Sequence, residues 1–290
     1  MARFGLTFEE TEAAPAFPSS TLAAADKASA SSDAAAVALA DDFEAGYSVE
    51  GQPAITLDSL AAVVSSAAAA MDAAFAPLMA DAQHLAALRR DLGNLVSSVY
   101  GLLRQPADLV TGLANVLTSL TSTEVTARQG ITALLAAYGF TPAIVRPPAT
   151  TATRVQELAN YDALVRLVRI LIVVQAARLA TSATFDTYDD AIAVRDALGD
   201  ALDEQMGGAG DDAFKALEQL RADLVRAVPG DASDLPHLMS YSPAYTVPSL
   251  VLAQRLYGSL DREADLVTRN GVSHPGFVAG GLDLEVLSDA

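Results

Sequence analysis

Large apolar residues recur every three or four positions through most of the chain, which is the spacing of one buried face of an α-helix. Proline and glycine interrupt this spacing repeatedly and divide it into separate helices. The pattern therefore predicts a mainly α protein built as one or more multi-helix bundles. The predicted helices begin near Asp58 and at Pro106, and run over 153–180, 187–206, 211–228, 248–257 and 261–269.

The segment 153–180 has apolar residues around most of its circumference, so we expect a helix that is buried on more than one side. Its most apolar run is "ILIVVQAA" at 170–177, with Arg169 and Arg178 at either end. A membrane span needs about 18 or more apolar residues. This run therefore predicts a core helix, and we expect no membrane span in the chain.

Both ends of the chain carry the alternating pattern of short strands. Near the start, "RFGLTFEE" alternates apolar and small residues, and near the end "LDLEVL" alternates apolar and acidic ones. Residues 19–44 are rich in alanine, serine and aspartate and hold few large side chains, which favours an arm or a loosely attached helix. The fold class thus includes extended N- and C-terminal segments with a few short strands.

The clearest break in the helical pattern is "TPAIVRPPATTAT" at 141–153, whose three prolines and four threonines do not continue a helix. It divides the chain into an extended strand plus alanine-rich arm at 1–52, a helical region at 53–145, and a second helical region with an extended tail at 146–290.

A formal charge of −18 and the absence of cysteine narrow the range of functions. Without cysteine there are no disulfides, thiolate nucleophiles or cysteine-bound metals. Strong negative charge repels nucleic acid unless cations gather locally. One segment is locally basic and is a candidate DNA footprint, although a solvated helix face is the simpler interpretation: Arg146, Arg154, Arg166, Arg169 and Arg178.

The sequence presents no recognisable catalytic, metal or cofactor motif. The three histidines are far apart, and the paired aspartates fall near predicted helix ends, where negative charge offsets the helix dipole. We therefore expect a protein that is not an enzyme and needs no cofactor.

The passage "SYSPAYTVPSLVLAQRLYGSLDREADLVTRNGVSHPGFVAGGLDLEVL" resembles the C-terminal region of the Mu-like phage DNA circularisation (DNA circulation) protein N family. The order of its features carries the likeness: a tyrosine and proline segment, "RLYG", "RN", "HPGF", "GG" and "LEVL". "RVQELANYDALVRLVRILIVVQAARLA" also looks like the central helix of that family. The resemblance covers about the second half of the chain.

The resemblance implies a virion structural protein of a contractile phage or prophage tail, placed at the baseplate or tail-tube end. It would be assembled in the host cytoplasm, with multiple copies around the tail axis and other tail proteins as partners. The alternative is an intracellular protein that binds DNA ends, although the acidic charge makes nucleic acid an unlikely partner. In that family a β-rich domain precedes a strand resembling "MARFGLTFEE", so we expect Met1 to be an internal methionine and that domain to be missing here.

The resemblance and the side-chain types together select a candidate protein interface near the C-terminus, with packing within the last helices as the alternative. The terminal strand is expected either to add to a sheet of a neighbour or of the missing domain, or to fold back on its own helices. The candidate residues are Tyr241, Tyr245, Arg255, Tyr257, Arg269, Asn270, His274, Pro275, Phe277, Leu284, Val286 and Leu287.

Overall fold

Helices form where the apolar spacing is helical, and they make up 70% of the protein, which confirms the mainly α prediction. The computed structural model describes residues 23–79, 81–121, 125–144, 148, 150–229 and 235–288. Within these ranges the helices are α1 (Ala24–Gly46), α2 (Ala54–Phe75), α3 (Ala82–Ser97), α4 (Val99–Leu102), α5 (Pro106–Thr121), α6 (Ala127–Tyr138), α7 (Ala152–Ala180), α8 (Tyr188–Met206), α9 (Asp211–Ala227), α10 (Ser249–Tyr257) and α11 (Glu263–Arg269). Two strands complete the described fold, β1 (Leu238–Tyr241) and β2 (Leu284–Leu287).

The long helix α7 occupies the centre of the bundle. It packs against α1, α2, α5, α6 and α8, and every residue from Ile170 to Ala177 is buried. A helix surrounded by neighbours must be apolar on all sides, which explains why this stretch shows no clean polar face. The prediction of a core helix at 153–180 is therefore confirmed to within one residue at its start.

Helix α1 is not the loosely attached arm expected from its composition. It packs along α9 and α7, and its buried positions include Ala28, Ser32, Ala35 and Leu39. Small side chains let two helix backbones approach closely, so a stripe of alanine and serine can pack as well as a stripe of leucine. The predicted strand at the chain start lies outside the described residues.

The helical regions on either side of residues 141–153 share one hydrophobic core. Its buried side chains extend from Ala35 to Val228, and α6 packs directly against α7 across the proline-rich segment. Helix α6 thus ends at Tyr138, and the helices on both sides of the segment still pack together.

Helix α2 begins at Ala54, earlier than the expected start at Asp58, because Thr56 and Leu57 already face the core. It ends at Phe75, and a single 3₁₀ turn over Ala76–Leu78 contains Pro77, which cannot donate the next helical hydrogen bond.

One stretch of the described chain, Ala54–Leu78, is long and apolar enough to cross a membrane by length and composition, with a mean hydropathy of 1.6. Fifty-six per cent of its most apolar window is buried inside the protein. Apolar core helices of soluble proteins pass the same test. The expectation that the chain has no membrane span stays a prediction.

Residues 235–288 form a smaller unit around a core of their own. The strands β1 and β2 pair in antiparallel fashion, with Leu238 opposite Leu287 and Tyr241 opposite Leu284. A bridge between Val247 and Val278 continues this pairing beyond the strands. The terminal strand thus pairs with a strand of its own chain, an arrangement that differs from folding back on helices alone. Its addition to a sheet of a neighbour stays a prediction.

The C-terminal unit is fastened to the start of α8. The backbone N–H of Tyr188 donates to the carbonyl of Pro236 at 3.0 Å, and Asp189 accepts from the N–H of Leu238 at 2.7 Å. The Tyr188 and His237 rings lie 4.6 Å apart. The strand β1 is thereby held beside the helical core.

Asp223 of α9 is a buried carboxylate that links α9 to α1. It accepts hydrogen bonds from Ser31 at 2.6 Å, Gln219 at 2.7 Å and Arg226 at 3.0 Å. Burial favours the neutral acid, but these three donors favour the carboxylate more strongly, so the pKa of Asp223 lies below its ordinary value.

Replacing Ser31 tests this link between α1 and α9. Hydrogen bonds to charged groups contribute about 1.5–3 kcal/mol, so we expect Ser31→Ala to lower the free energy of unfolding by that amount at neutral pH. Urea unfolding followed by circular dichroism measures the change. Ser29→Ala on the same helix is the matched control and should shift stability by less than about 0.5 kcal/mol. Equal effects of the two substitutions would contradict the assignment.

Asp223 also predicts a pH dependence. Because its folded pKa is depressed, its contribution to stability is present above the unfolded pKa and disappears as pH falls through the folded pKa. Between about pH 5 and pH 2, the wild type should therefore lose more unfolding free energy than Asp223→Asn. Asp200→Asn, at an exposed position within α8, should follow the wild-type curve. Parallel curves for wild type and Asp223→Asn would refute the prediction.

Candidate interaction surface

The candidate residues of the terminal strand face inward. Leu284 and Val286 are buried in the second hydrophobic cluster with Leu252 and Leu266, and Leu287 is buried as well. Glu285, between them, is exposed. Leu284 and Val286 therefore belong to the core of the C-terminal unit. The burial of all three residues favours the alternative that they contact their own chain, and a partner interface at these residues stays a prediction.

Asn270 and Tyr257 hold the terminal strand in place. The Asn270 amide donates to the carbonyls of Leu266 and Glu285, both at 2.9 Å, and accepts from the N–H of Glu285 at 2.7 Å. The Tyr257 hydroxyl accepts from the N–H of Leu287 at 3.0 Å. Both side chains satisfy backbone groups on the side of β2 that has no neighbouring strand, so their role is internal.

Arg269 also forms its ion pair within the C-terminal unit. Its guanidinium pairs with Asp265 one turn earlier at 3.1 Å, and its side chain is only 15% exposed. Burial alone would lower its pKa, but the hydrogen bond and charge of Asp265, together with the more distant Asp190 and Asp186, raise the pKa above its ordinary value. Arg269 therefore stays charged and is not available to clamp a neighbour's carboxylate.

Tyr245 and Arg255 form an exposed pair at the surface. Arg255 donates to the Tyr245 hydroxyl at 3.0 Å, and its guanidinium lies 5.8 Å from the ring centroid. Gly280 makes this arrangement possible, because a Cβ at that position would lie 2.5 Å from the Cα of Tyr245. The backbone of Tyr245 therefore packs directly against Gly280, while the residue as a whole is 58% exposed. Tyr241, by contrast, is partly buried against the second cluster.

The "HPGF" turn presents a phenylalanine to solvent. The Pro275 carbonyl accepts from the N–H of Ser249 at 2.7 Å, and the His274 and Phe277 rings lie 5.1 Å apart. Phe277 directly precedes Val278, which points into the core, and neighbouring residues of an extended chain point to opposite sides. Phe277 is accordingly 69% exposed, the largest value among the exposed apolar side chains of the described chain.

The bond from Ser249 to Pro275 brings the first turn of α10 beside this loop. Leu250 and Val251 in that turn are exposed, and the sequence analysis did not select them. A signal was available, because Ser249, Leu252 and Ala253 occupy the buried i, i+3, i+4 positions of α10 and leave Leu250 and Val251 off that face. We name Tyr245, Leu250, Val251 and Phe277 the C-terminal apolar surface.

Half of the large apolar side chains that are exposed in the described chain lie in residues 235–288, which make up only about a fifth of it. Besides the four named residues, the unit exposes Met239, Leu260 and Leu282. Single exposed apolar residues are common on protein surfaces, but a concentration of this kind is typical of contact sites.

Most of the arginines proposed as a DNA-binding patch form ion pairs with carboxylates of the same chain. Arg154 pairs with the buried Glu157, and Arg178 pairs with Asp33 of α1. Arg166 lies beside the turn between α8 and α9. Arg146 lies outside the described residues. The described members of the set do not form a continuous cationic surface.

Arg169 belongs to a polar cluster at the boundary of α6, α7 and α8. Its guanidinium lies 3.7 Å from a Glu204 oxygen and 5.8 Å from the ring centroids of Tyr138 and Phe140. The Tyr138 hydroxyl donates to Glu204 at 2.5 Å and accepts from Gln205 at 2.8 Å. Burial and the bond to Glu204 raise the pKa of Tyr138 to about 12. This cluster joins three helices.

No group of three or more His, Asp or Glu side chains in the described part of the chain is placed to hold a metal ion. Compared with known proteins, the chain matches no protein-family model and no curated protein.

Asn270 provides a test of how the surface is supported. In Asn270→Ala, the Glu285 backbone loses both partners, and we expect hydrogen exchange of the Glu285 amide to accelerate at least about tenfold. Amide exchange measured by nuclear magnetic resonance would report it. Asn270→Asp keeps the acceptor for the Glu285 N–H but loses the donor. Its Glu285 exchange rate should therefore lie between those of the wild type and Asn270→Ala. The exposed Asn115→Ala on α5 should leave this amide unchanged. An unaltered Glu285 rate in Asn270→Ala would contradict the arrangement.

Proposed function

We propose that the protein is a structural, nonenzymatic component of a contractile phage or prophage tail, at the baseplate or tail-tube end. It acts in assembly through contacts with other tail proteins, in multiple copies around the tail axis. The tail setting rests on the resemblance of the C-terminal passage and of the α7 sequence. The observation that carries the mode of action is the C-terminal apolar surface, in which Phe277 is the most exposed residue.

The C-terminal apolar surface is suited to protein contacts because the backbone that carries it packs on a hydrophobic core. Gly280 and the Val247–Val278 bridge set the backbone that carries Tyr245 and Phe277, and the second hydrophobic cluster lies underneath. A partner therefore meets side chains whose backbone is already ordered, which lowers the entropic cost of binding. Aromatic side chains with one polar contact, such as Tyr245 with Arg255, are enriched at such interfaces.

Three arginines of the basic set pair with carboxylates of the same chain, which weighs against the alternative of DNA-end binding. They are Arg154, Arg169 and Arg178. An arginine that neutralises a neighbouring carboxylate contributes little to releasing counterions from DNA, and the chain as a whole carries a charge of −18. If the alternative were correct, retention on duplex DNA at low salt would be strong and would fall steeply as salt rises.

The structural proposal predicts a fixed place in purified particles. We expect quantitative mass spectrometry of particles from an induced producer strain to find this protein at a constant ratio to other tail proteins. Phe277→Ser should reduce its incorporation at least about tenfold, since central aromatic anchors dominate interfaces. Val37→Ser is the matched control, because Val37 is 63% exposed but lies on α1.

Two results would oppose the proposal. Particles that lack the wild-type protein while the producing cells contain it would exclude a structural role in the tail. Equal incorporation of wild type, Phe277→Ser and Val37→Ser would leave the tail setting in place but refute the role of the C-terminal apolar surface. Circular dichroism of both variants establishes that each one is folded.

A further inference from the structure

The two outer edges of the β1–β2 sheet differ in how their backbone groups are satisfied. Side chains cover the outer edge of β2, where Asn270 bonds to both backbone groups of Glu285 and the Tyr257 hydroxyl accepts from the N–H of Leu287. An edge whose N–H and carbonyl groups already have partners does not accept a further strand. Any addition to this sheet must therefore take place at β1.

The outer edge of β1 is largely open. The N–H of Ser288 donates to the carbonyl of His237 at 2.7 Å, and this bond sets the alternation of the ladder. By that alternation, Leu238 and Ser240 direct their backbone groups away from β2. Asp189 accepts from the N–H of Leu238, but the Leu238 carbonyl and both backbone groups of Ser240 have no hydrogen-bond partner among the described residues. These groups are free to pair with an added strand.

An uncovered apolar side chain lies at the same edge. Met239 is opposite Val286 in the ladder, so both side chains lie on the face of the sheet that carries the second hydrophobic cluster. Val286 is 2% exposed, whereas Met239 is 52% exposed. The core face of the sheet therefore ends at β1, and a third strand would extend it past Met239.

A short segment near the start of the chain has the sequence pattern of a strand that fits this edge. Phe4, Leu6 and Phe8 alternate with Gly5 and Thr7, so one face of such a strand is apolar. These residues lie outside the described part of the chain. A single short strand is not stable alone and needs a sheet with which to pair.

Helix α1 starts at the end of the bundle to which β1 is attached. Ser31 bonds to Asp223 near the end of α9, and Asp42 bonds to Gly210 just before its start, so α1 and α9 are antiparallel. Helices α8 and α9 pack together across a short turn and are antiparallel as well. The start of α1 is therefore at the same end as the start of α8, which holds β1. Residues 9–22 can span up to about 45 Å, several times the spacing of about 8–10 Å between packed helices.

We propose that residues 4–8 add to the outer edge of β1 of their own chain as a third, antiparallel strand, independently of the tail function. The antiparallel direction places Phe8 at the start of β1, beside the end of the bundle from which α1 begins. A parallel strand would place Phe8 at the far end of β1. The added strand completes the C-terminal sheet and ties the start of the chain to its end.

The alternation of β1 decides which side chains meet in this arrangement. The apolar side chains of the segment lie on the core face when Leu6 is opposite Met239. Phe4 is then opposite Tyr241, which forms an aromatic cross-strand pair of the kind that stabilises sheets. The N–H of Ser240 donates to the added strand.

Introduced cysteine pairs test the proposed contact in the full-length protein, which has no cysteine of its own. Leu6→Cys with Met239→Cys joins a pair that shares no backbone hydrogen bond, and its Cα separation of about 4.5 Å suits a disulfide. Thr7→Cys with Met239→Cys is the matched control, because Thr7 faces the other side of the strand. In a glutathione redox buffer, the first pair should form an intramolecular disulfide with an equilibrium constant at least about tenfold larger than the control. Mass spectrometry of the oxidised protein measures both.

Hydrogen exchange tests the same strand without cysteines. The Ser240 amide of the wild type should exchange at least about tenfold more slowly than in Leu6→Asp, which places a charge on the core face. Thr11→Asp, outside the segment, should exchange as the wild type does. Amide exchange measured by nuclear magnetic resonance reports all three.

Four results would overturn the proposal. They are a wild-type Ser240 amide that exchanges as fast as an unprotected one, an unchanged rate in Leu6→Asp, equal disulfide formation by the two cysteine pairs, and a disulfide-linked dimer as the main product. The dimer would show that the segment pairs with β1 of another copy.

Discussion

The packing of α7 on all sides is the constraint on which the rest of the structure depends. Because Ile170 to Ala177 are buried without interruption, α1, α2, α5, α6 and α8 must all place an apolar face against this one helix. Five neighbours around one axis fit only if some of them approach closely, and the alanine stripes of α1 and α2 permit this. The buried alanines of α1 and α2 are therefore suited to close packing in the bundle around α7.

Close packing around α7 also decides where charge can lie. Arginines on α7 emerge at the edges of the neighbouring helices and meet carboxylates there, Arg178 at Asp33 of α1 and Arg169 at Glu204 of α8. Arg166 emerges where α8 has ended, so it meets the backbone of Gly208 instead of a helix side chain. The partner of each of these arginines is thus set by the neighbouring element that passes beside it along α7.

Sequence reasoning predicted the elements that depend on local pattern and missed those that depend on distant partners. The bounds of α7 followed from its apolar run and its flanking polar residues, and Pro106 marked the start of α5 as expected. The spacing of large apolar residues did not predict the attachment of α1. Its buried face includes Ala28, Ser32 and Ala35, whose small side chains let the backbones of neighbouring helices come close. Nor could local sequence show that the terminal strand pairs with residues 238–241, since that pairing joins segments more than 40 residues apart.

The net charge of the chain bears on what can cover the exposed apolar side chains of the C-terminal unit. At −18, electrostatic repulsion opposes unspecific contact between copies of the chain through Phe277 and its neighbours. The same repulsion selects the partner. A protein that binds the C-terminal apolar surface must overcome or offset the negative charge of the chain, so cationic groups flanking an apolar site are the expected complement.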